Sequence, residues 1–173
     1  MYKYQKLDIP SNMPFYHGTH AFFERFEDHC RGSNSGWDNT VHGFFFADKK
    51  ENALLFGDTI ITAHLDIQKT LDLRMLSIFN EESQASLIWD ILSGEKLDNR
   101  TALQTIYDEI SLGELGEMWD ALNSDYGHEK MVAAGYDSIV SNLGDGQFEY
   151  IVFNASQIDI LSIDRKQYNR YSR

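Results

Sequence analysis

Gln147-Phe148-Glu149-Tyr150-Ile151-Val152-Phe153-Asn154-Ala155-Ser156-Gln157-Ile158 is the stretch on which the reading of this chain turns. Its apolar run from Tyr150 to Phe153, aromatic and β-branched, predicts a strand whose backbone is buried. A carboxylate, Glu149, stands at the mouth of that strand. Two upstream pieces have a matching character: Phe15-Tyr16-His17-Gly18-Thr19 and Gly43-Phe44-Phe45-Phe46-Ala47-Asp48.

Working outward, Met13-Pro14-Phe15-Tyr16 enters extended, because the residue before proline disfavours helix. Phe44 to Phe46 is a short strand in which Phe44 and Phe46 alternate with Phe45. Asp48, with Glu51 three residues on, has the form of a capping box. The helix it opens has Ala53, Leu54 and Phe56 as its apolar face and ends at Gly57. Asp58 to Asp66 alternates and reads as a strand, which Leu71-Asp72-Leu73 continues or follows.

From about Leu76 to Ala134 the period becomes helical. One face carries Leu87, Ile88, Ile91 and Leu92, a second Leu103, Ile106, Tyr107 and Ile110, a third Leu115, Met118, Trp119 and Leu122. Gly135 to Val140 then reads as a strand, Ser141 to Gln147 as a polar loop, and Ile158 to Ile163 as a last strand. Strands at both ends of a helical insert (about residues 76–134) predict an α+β fold in one domain, residues 1–173.

The three pieces share a chemistry. His17-Gly18-Thr19 supplies an imidazole, a glycine that admits close backbone approach, and a hydroxyl. Phe45 and Phe56 can grip a flat ring by offset stacking. Glu149 can face positive charge developing on a sugar. Together they describe cleavage of an N-glycosidic bond, with the charge stabilised in the transition state. Taken singly, each has a plainer reading: core phenylalanines, a strand-edge carboxylate, a helix cap at Asp48. Neither His17 with His20 nor His29, Cys30 and His42 makes a recognised four-ligand pattern, so no metal is expected. Trp89 and Trp119 read as packing.

Glu149 to Ile158 resembles the last core strand of the diphtheria-toxin-like ADP-ribosyltransferases, which include the poly(ADP-ribose) polymerases. There a glutamate opens an EYIVY strand that leads into a QV or QI turn. His17-Gly18-Thr19 is similar to that family's HG[ST] motif, and Gly43 to Asp48 to its GxYFAD motif. Phe45 and Phe56 keep the spacing of the family's two tyrosines. In style the chain resembles small bacterial and phage members, with Gly135-Tyr136-Asp137 as a further match, over about residues 14–163.

The resemblance implies a split antiparallel sheet with a helical insert, and NAD as co-substrate. By it, Glu149 is catalytic: it bonds the 2′-hydroxyl of the nicotinamide ribose and stabilises the oxocarbenium ion. His17, the second catalytic position, bonds the adenine-side ribose. Gly18 reads the nicotinamide amide with support from Thr19, and Phe45 and Phe56 sandwich the ring. Gln147 is the acceptor-loop candidate. The implied activity is mono-ADP-ribosyl transfer to a macromolecule, by an effector, toxin or phage-encoded modifier. The alternatives are an NAD glycohydrolase on the same scaffold and a non-catalytic module binding ADP-ribose or a protein. Phenylalanine at both stacking positions keeps the π-faces and removes two hydroxyls. Ala53 stands where the polymerases carry a serine.

A net charge of -12, from 27 acidic and 15 basic side chains, repels phosphate backbones. A protein acceptor is therefore expected rather than a nucleic acid, and RNA 2′-phosphotransferases, which share an HGT motif, are disfavoured. The basic tail with Arg165, Lys166, Arg170 and Arg173 reads as solvated. Cys30 is the single cysteine, which suits a reducing compartment. No run approaches the roughly 18 apolar residues of a membrane span. The expectation is a cytoplasmic monomer, in its own cell or in a target cell. Acceptor specificity is expected in residues 31–42, residues 141–148 and the helical insert.

Overall fold

A computed structural model describes residues 4–20, 26–27, 41–144 and 146–165. The readings placed on His29, Cys30, most of the 31–42 loop and the tail beyond Arg165 lie outside the described residues. The strands are β1 (Phe15–Thr19), β2 (Phe44–Ala47), β3 (Thr59–Leu65), β4 (Thr70–Asp72), β5 (Ser138–Gly144), β6 (Gln147–Val152) and β7 (Ile158–Arg165). They lie in the order β4-β5-β6-β2-β1-β3-β7. β4 and β5 run parallel, and the other neighbours are antiparallel.

The sheet has a seam. β1 and β2 share one residue pair, Tyr16 with Ala47. Beyond it, Phe44, Phe45 and Phe46 pair with β6, while His17, Gly18 and Thr19 pair with β3. Two half-sheets are thus joined at one bridge, the split architecture that the motifs imply.

Between β4 and β5 run α2 (Met75–Ile78), α3 (Ala85–Ser93), α4 (Asn99–Glu109), α5 (Leu115–Leu122) and α6 (Asp125–Ala133); the four-residue α1 (Lys50–Ala53) follows β2. Ile88, Ile91, Ile106, Met118, Leu122 and Met131 pack with Leu71, Leu73, Ile139 and Ile151, so the helical block covers one face of the sheet. Phe15, Phe44, Phe46, Tyr150 and Val152 form a second core on the other face. Period-2 alternation along β2 and β6 sorts their side chains between these cores.

The junction of sheet and helical block is clamped at Asp72. Its carboxylate binds the Arg74 guanidinium (2.6 and 2.9 Å) and accepts from Ser77 Oγ (2.7 Å), while Gln84 pairs with its backbone at both N–H and C=O. Asp98 and Ser124 cap α4 and α6 through their side chains.

Several expectations change. Asp48 is not the cap of α1: Lys49 occupies that position without a side-chain hydrogen bond, and the helix tightens into a 3-10 turn at Leu54–Phe56. Leu54 and Leu55 are exposed, since so short a helix buries only Asn52 and Ala53. Tyr107 is 68% exposed, one residue past the stripe that Ile106 holds. Ser141 to Gly144 is strand, not loop, because β6 supplies its backbone partners. Gly135 to Asp137 precedes the strand, and the Asp137 carboxylate accepts the backbone N–H groups of Gln68 and Lys69. Gln157, in the turn after β6, donates to the carbonyls of Asp66 and Asp137 and so ties three chain segments together.

Candidate active site

One cross-strand row organises the site. Tyr16 on β1 faces Ala47 on β2, Ala47 faces Glu149 on β6, and Glu149 faces Ser141 on β5. Directly paired antiparallel residues share a face, so all four lie on the side covered by the helical block. Phe45, two residues before Ala47, lies there too and packs against that block. Glu149 is 8% exposed, and Ser141 Oγ donates to its Oε1 at 3.0 Å. The carboxylate is thus held in a fixed direction by its own strand partner.

Gly18 is on the same face by alternation from Tyr16. A Cβ there would sit 1.7 Å from the Ala53 carbonyl oxygen, so glycine lets α1 lie directly on β1. The 3-10 turn that carries half-buried Phe56 continues from this contact. Phe45, Ala47 and Glu149 thus share one face of the sheet, between the α1 segment packed on β1 and the helical block packed on β5 and β6.

His17 is placed differently. It follows Tyr16 in β1, so its side chain turns to the opposite face, where its ring meets Phe26 (5.0 Å between centroids) and Phe46 (5.5 Å). Its Nδ1 is 2.5 Å from the Phe45 carbonyl oxygen, to which it donates across the seam. The row separates β1 from β6 by two strand spacings, about 10 Å. His17 and Glu149 are therefore neighbours across the seam and do not share a face. Thr19 ends β1, and Gln147 opens β6 half-buried, two residues from Glu149.

Burial lowers the His17 pKa, and the bond to Phe45 offsets this only in part. The enclosing rings of Phe26 and Phe46 account for this, although the residue as a whole is only half-buried. A depressed histidine favours the fold fully above its unfolded value of about 6.5, and that contribution is lost as pH falls through the lower folded value. The urea midpoint is accordingly expected to decline below about pH 6.5 in the wild type. In His17→Asn the decline should be shallower; equal slopes would remove His17 as the source.

On the β5 side of Glu149 lies a cavity of about 170 Å³. Ile139, Ser141, Glu149 and Ile151 floor it, Trp119 and Asn123 come down from the end of α5, and Leu73 and Asn142 close its rim. Asn123 Oδ1 is 3.1 Å from His42 Nε2, and His42 Nδ1 is 2.9 Å from His128 Nδ1. Both histidines are buried and pack on Phe153.

A family model for ADP-ribosyltransferases in polyvalent proteins matches residues 11–167. The chain belongs to this family. ADP-ribosyltransferases in general use NAD as co-substrate and pass ADP-ribose to an acceptor, and the mixed α+β fold with its seven-stranded sheet agrees with that membership. A solved structure described as the crystal structure of an anti-CRISPR protein is similar at 18% identity and a TM-score of 0.47, covering 86% of this chain and 95% of that one. No curated protein matches. No helix among the described residues of this ADP-ribosyltransferase-family chain is long and apolar enough to cross a membrane.

Trp119, Asn123, Ser141 and Asn142 escape the sequence reading of the family's motifs. Trp119 sits on an amphipathic stripe and passes for packing, which it also does. Asn123 has the look of a helix end. For Ser141 the signal was available: hairpin pairing of the flanking strands places it opposite Glu149.

Proposed function

We propose that this chain is an NAD-dependent mono-ADP-ribosyltransferase acting on a macromolecular acceptor. The observation that carries the proposal is the buried Glu149 carboxylate on the same sheet face as Phe45, next to the β1–β2 seam. Nicotinamide is proposed to stack between Phe45 and Phe56, with its carboxamide against the Gly18 backbone and Thr19 in support. The adenosine end then runs along the seam over the β1 backbone, while the His17 ring, on the opposite face, holds the carbonyl of Phe45, the residue that carries the stacking ring.

In the reaction the bond between the ribose anomeric carbon and the pyridinium nitrogen breaks, and its electron pair leaves with neutral nicotinamide. The sugar becomes an oxocarbenium ion, whose positive charge Glu149 stabilises while it holds the 2′-hydroxyl. Fixed negative charge in a water-poor site acts strongly because it need not reorganise. A lone pair of the acceptor then bonds the anomeric carbon, and the acceptor releases a proton.

A protein acceptor is supported by the net charge of -12, which opposes a nucleic acid. A role as effector or toxin belongs to the same proposal and draws on the resemblance of the motifs. The test is incubation with NAD carrying a label on its adenosine part. Nicotinamide release with label on a macromolecule is expected. Free ADP-ribose without labelled macromolecule would instead make the chain a glycohydrolase. Tight NAD binding without nicotinamide release would make it a binding module.

A further inference from the structure

The cavity beside Glu149 is not lined by any residue assigned to NAD above except Glu149 itself. Phe45, Phe56, Gly18 and Thr19 lie toward the seam, on β1, β2 and the α1 segment. The cavity lies on the other side of the carboxylate, over β5 and under α5. Its volume of about 170 Å³ is below the roughly 300–1,000 Å³ of pockets that take whole small molecules. It suits one side chain.

The polar groups around it have defined directions. Asn123 Oδ1 can only accept, so His42 Nε2 carries the hydrogen of their 3.1 Å bond. In neutral His42, Nδ1 is then an acceptor, and the hydrogen of the 2.9 Å contact belongs to His128 Nδ1. The pair thereby fixes the Asn123 amide oxygen, which leaves its NH2 for the cavity that Asn123 lines. Asn142 follows Ser141 in β5, so its side chain turns to the other face, where its Oδ1 accepts the Met75 backbone N–H at 2.8 Å. The cavity therefore offers the Asn123 amide donor on one side and an acceptor carboxylate on the other.

Resting on the transferase reading above, we propose that this cavity is the acceptor pocket, and that Asn123 of the helical block is the residue that recognises the acceptor there. His42 and His128 are its positioning residues. The fitting acceptor is a neutral side chain with an oxygen acceptor and a transferable proton, a hydroxyl or a carboxamide. Its oxygen takes the Asn123 N–H, and its proton faces Glu149. A carboxylate is repelled by Glu149. A guanidinium sets donors against the Asn123 NH2 and leaves it unsatisfied.

The test uses the full chain with NAD and four small probes in separate arms: N-acetylserine amide, N-acetylasparagine amide, N-acetylaspartate amide and agmatine. Mass spectrometry measures the ratio of ADP-ribosylated probe to free ADP-ribose, which does not depend on how fast nicotinamide leaves. One of the two neutral probes is expected to be captured, and the arms show which. Asn123→Asp keeps the oxygen that faces His42 and loses the NH2, and it should lower the ratio at least tenfold, as should Asn123→Ala. His42→Phe should lower it in the same direction.

A ratio unchanged in the Asn123 variants, even with total turnover reduced, would show a merely structural role and overturn the proposal. Preferential capture of agmatine or the aspartate probe, or no captured probe while nicotinamide is released, would overturn it as well. Failure of the wild type to release nicotinamide would instead defeat the transferase reading itself, a separate and visible outcome.

Discussion

Replacing Glu149 by Gln is expected to reduce nicotinamide release roughly 10²–10³-fold, the scale of losing one preorganised electrostatic contact to a developing charge. The substitution is close to isosteric. Its amide oxygen can still accept from Ser141 Oγ, which bonds Oε1 at 3.0 Å in the wild type. What disappears is the negative charge proposed to face the sugar. Stability should not fall, because a neutral amide costs less to bury than a carboxylate that is only 8% exposed. Single-turnover nicotinamide release together with a urea midpoint checks both parts. Near-wild-type turnover in a folded variant would remove Glu149 from the mechanism.

Gly18→Ala is the second large effect. The added Cβ would lie 1.7 Å from the oxygen and 2.7 Å from the carbon of the Ala53 carbonyl. Both belong to backbone, so no side chain can swing aside, and α1 must lift from β1. Overpacking of this kind costs about 1–3 kcal/mol and occasionally more. The same displacement carries Phe56 away from Phe45, so the KM for NAD is expected to rise as the urea midpoint falls. Gly116→Ala in α5, where nothing lies within 4 Å of the new Cβ, is the control. It should be neutral or stabilising by up to about 1 kcal/mol. A Gly18→Ala protein as stable as that control would mean that α1 does not rest on β1.

Much of the fold is legible because its signals are local. The alternation of Phe44, Phe45 and Phe46 follows from a two-residue period, and buried Phe44 and Phe46 against half-buried Phe45 agree with it. The helical stripes behave likewise at Ile88, Ile91, Ile106 and Leu122. Where local signals compete, the reading slips. Asp48 and Glu51 have capping-box spacing, yet the chain leaves β2 still extended at Lys49, and the cap forms without a side chain. Ser141 and Asn142 are polar enough for a loop, but β6 supplies their backbone partners.

By itself the sequence determined that an acidic residue, an HGT strand and an aromatic strand occur in this chain, and that strands flank a helical block; these follow from residue type and period. Only the tertiary structure decided that β2 lies between β1 and β6, and that His17 faces away from Glu149. It alone brought Trp119 and Asn123 to the cavity. Pairing register and helix docking join residues far apart in the chain, as with His42 and His128 at a separation of 86. No local pattern records which distant partner wins.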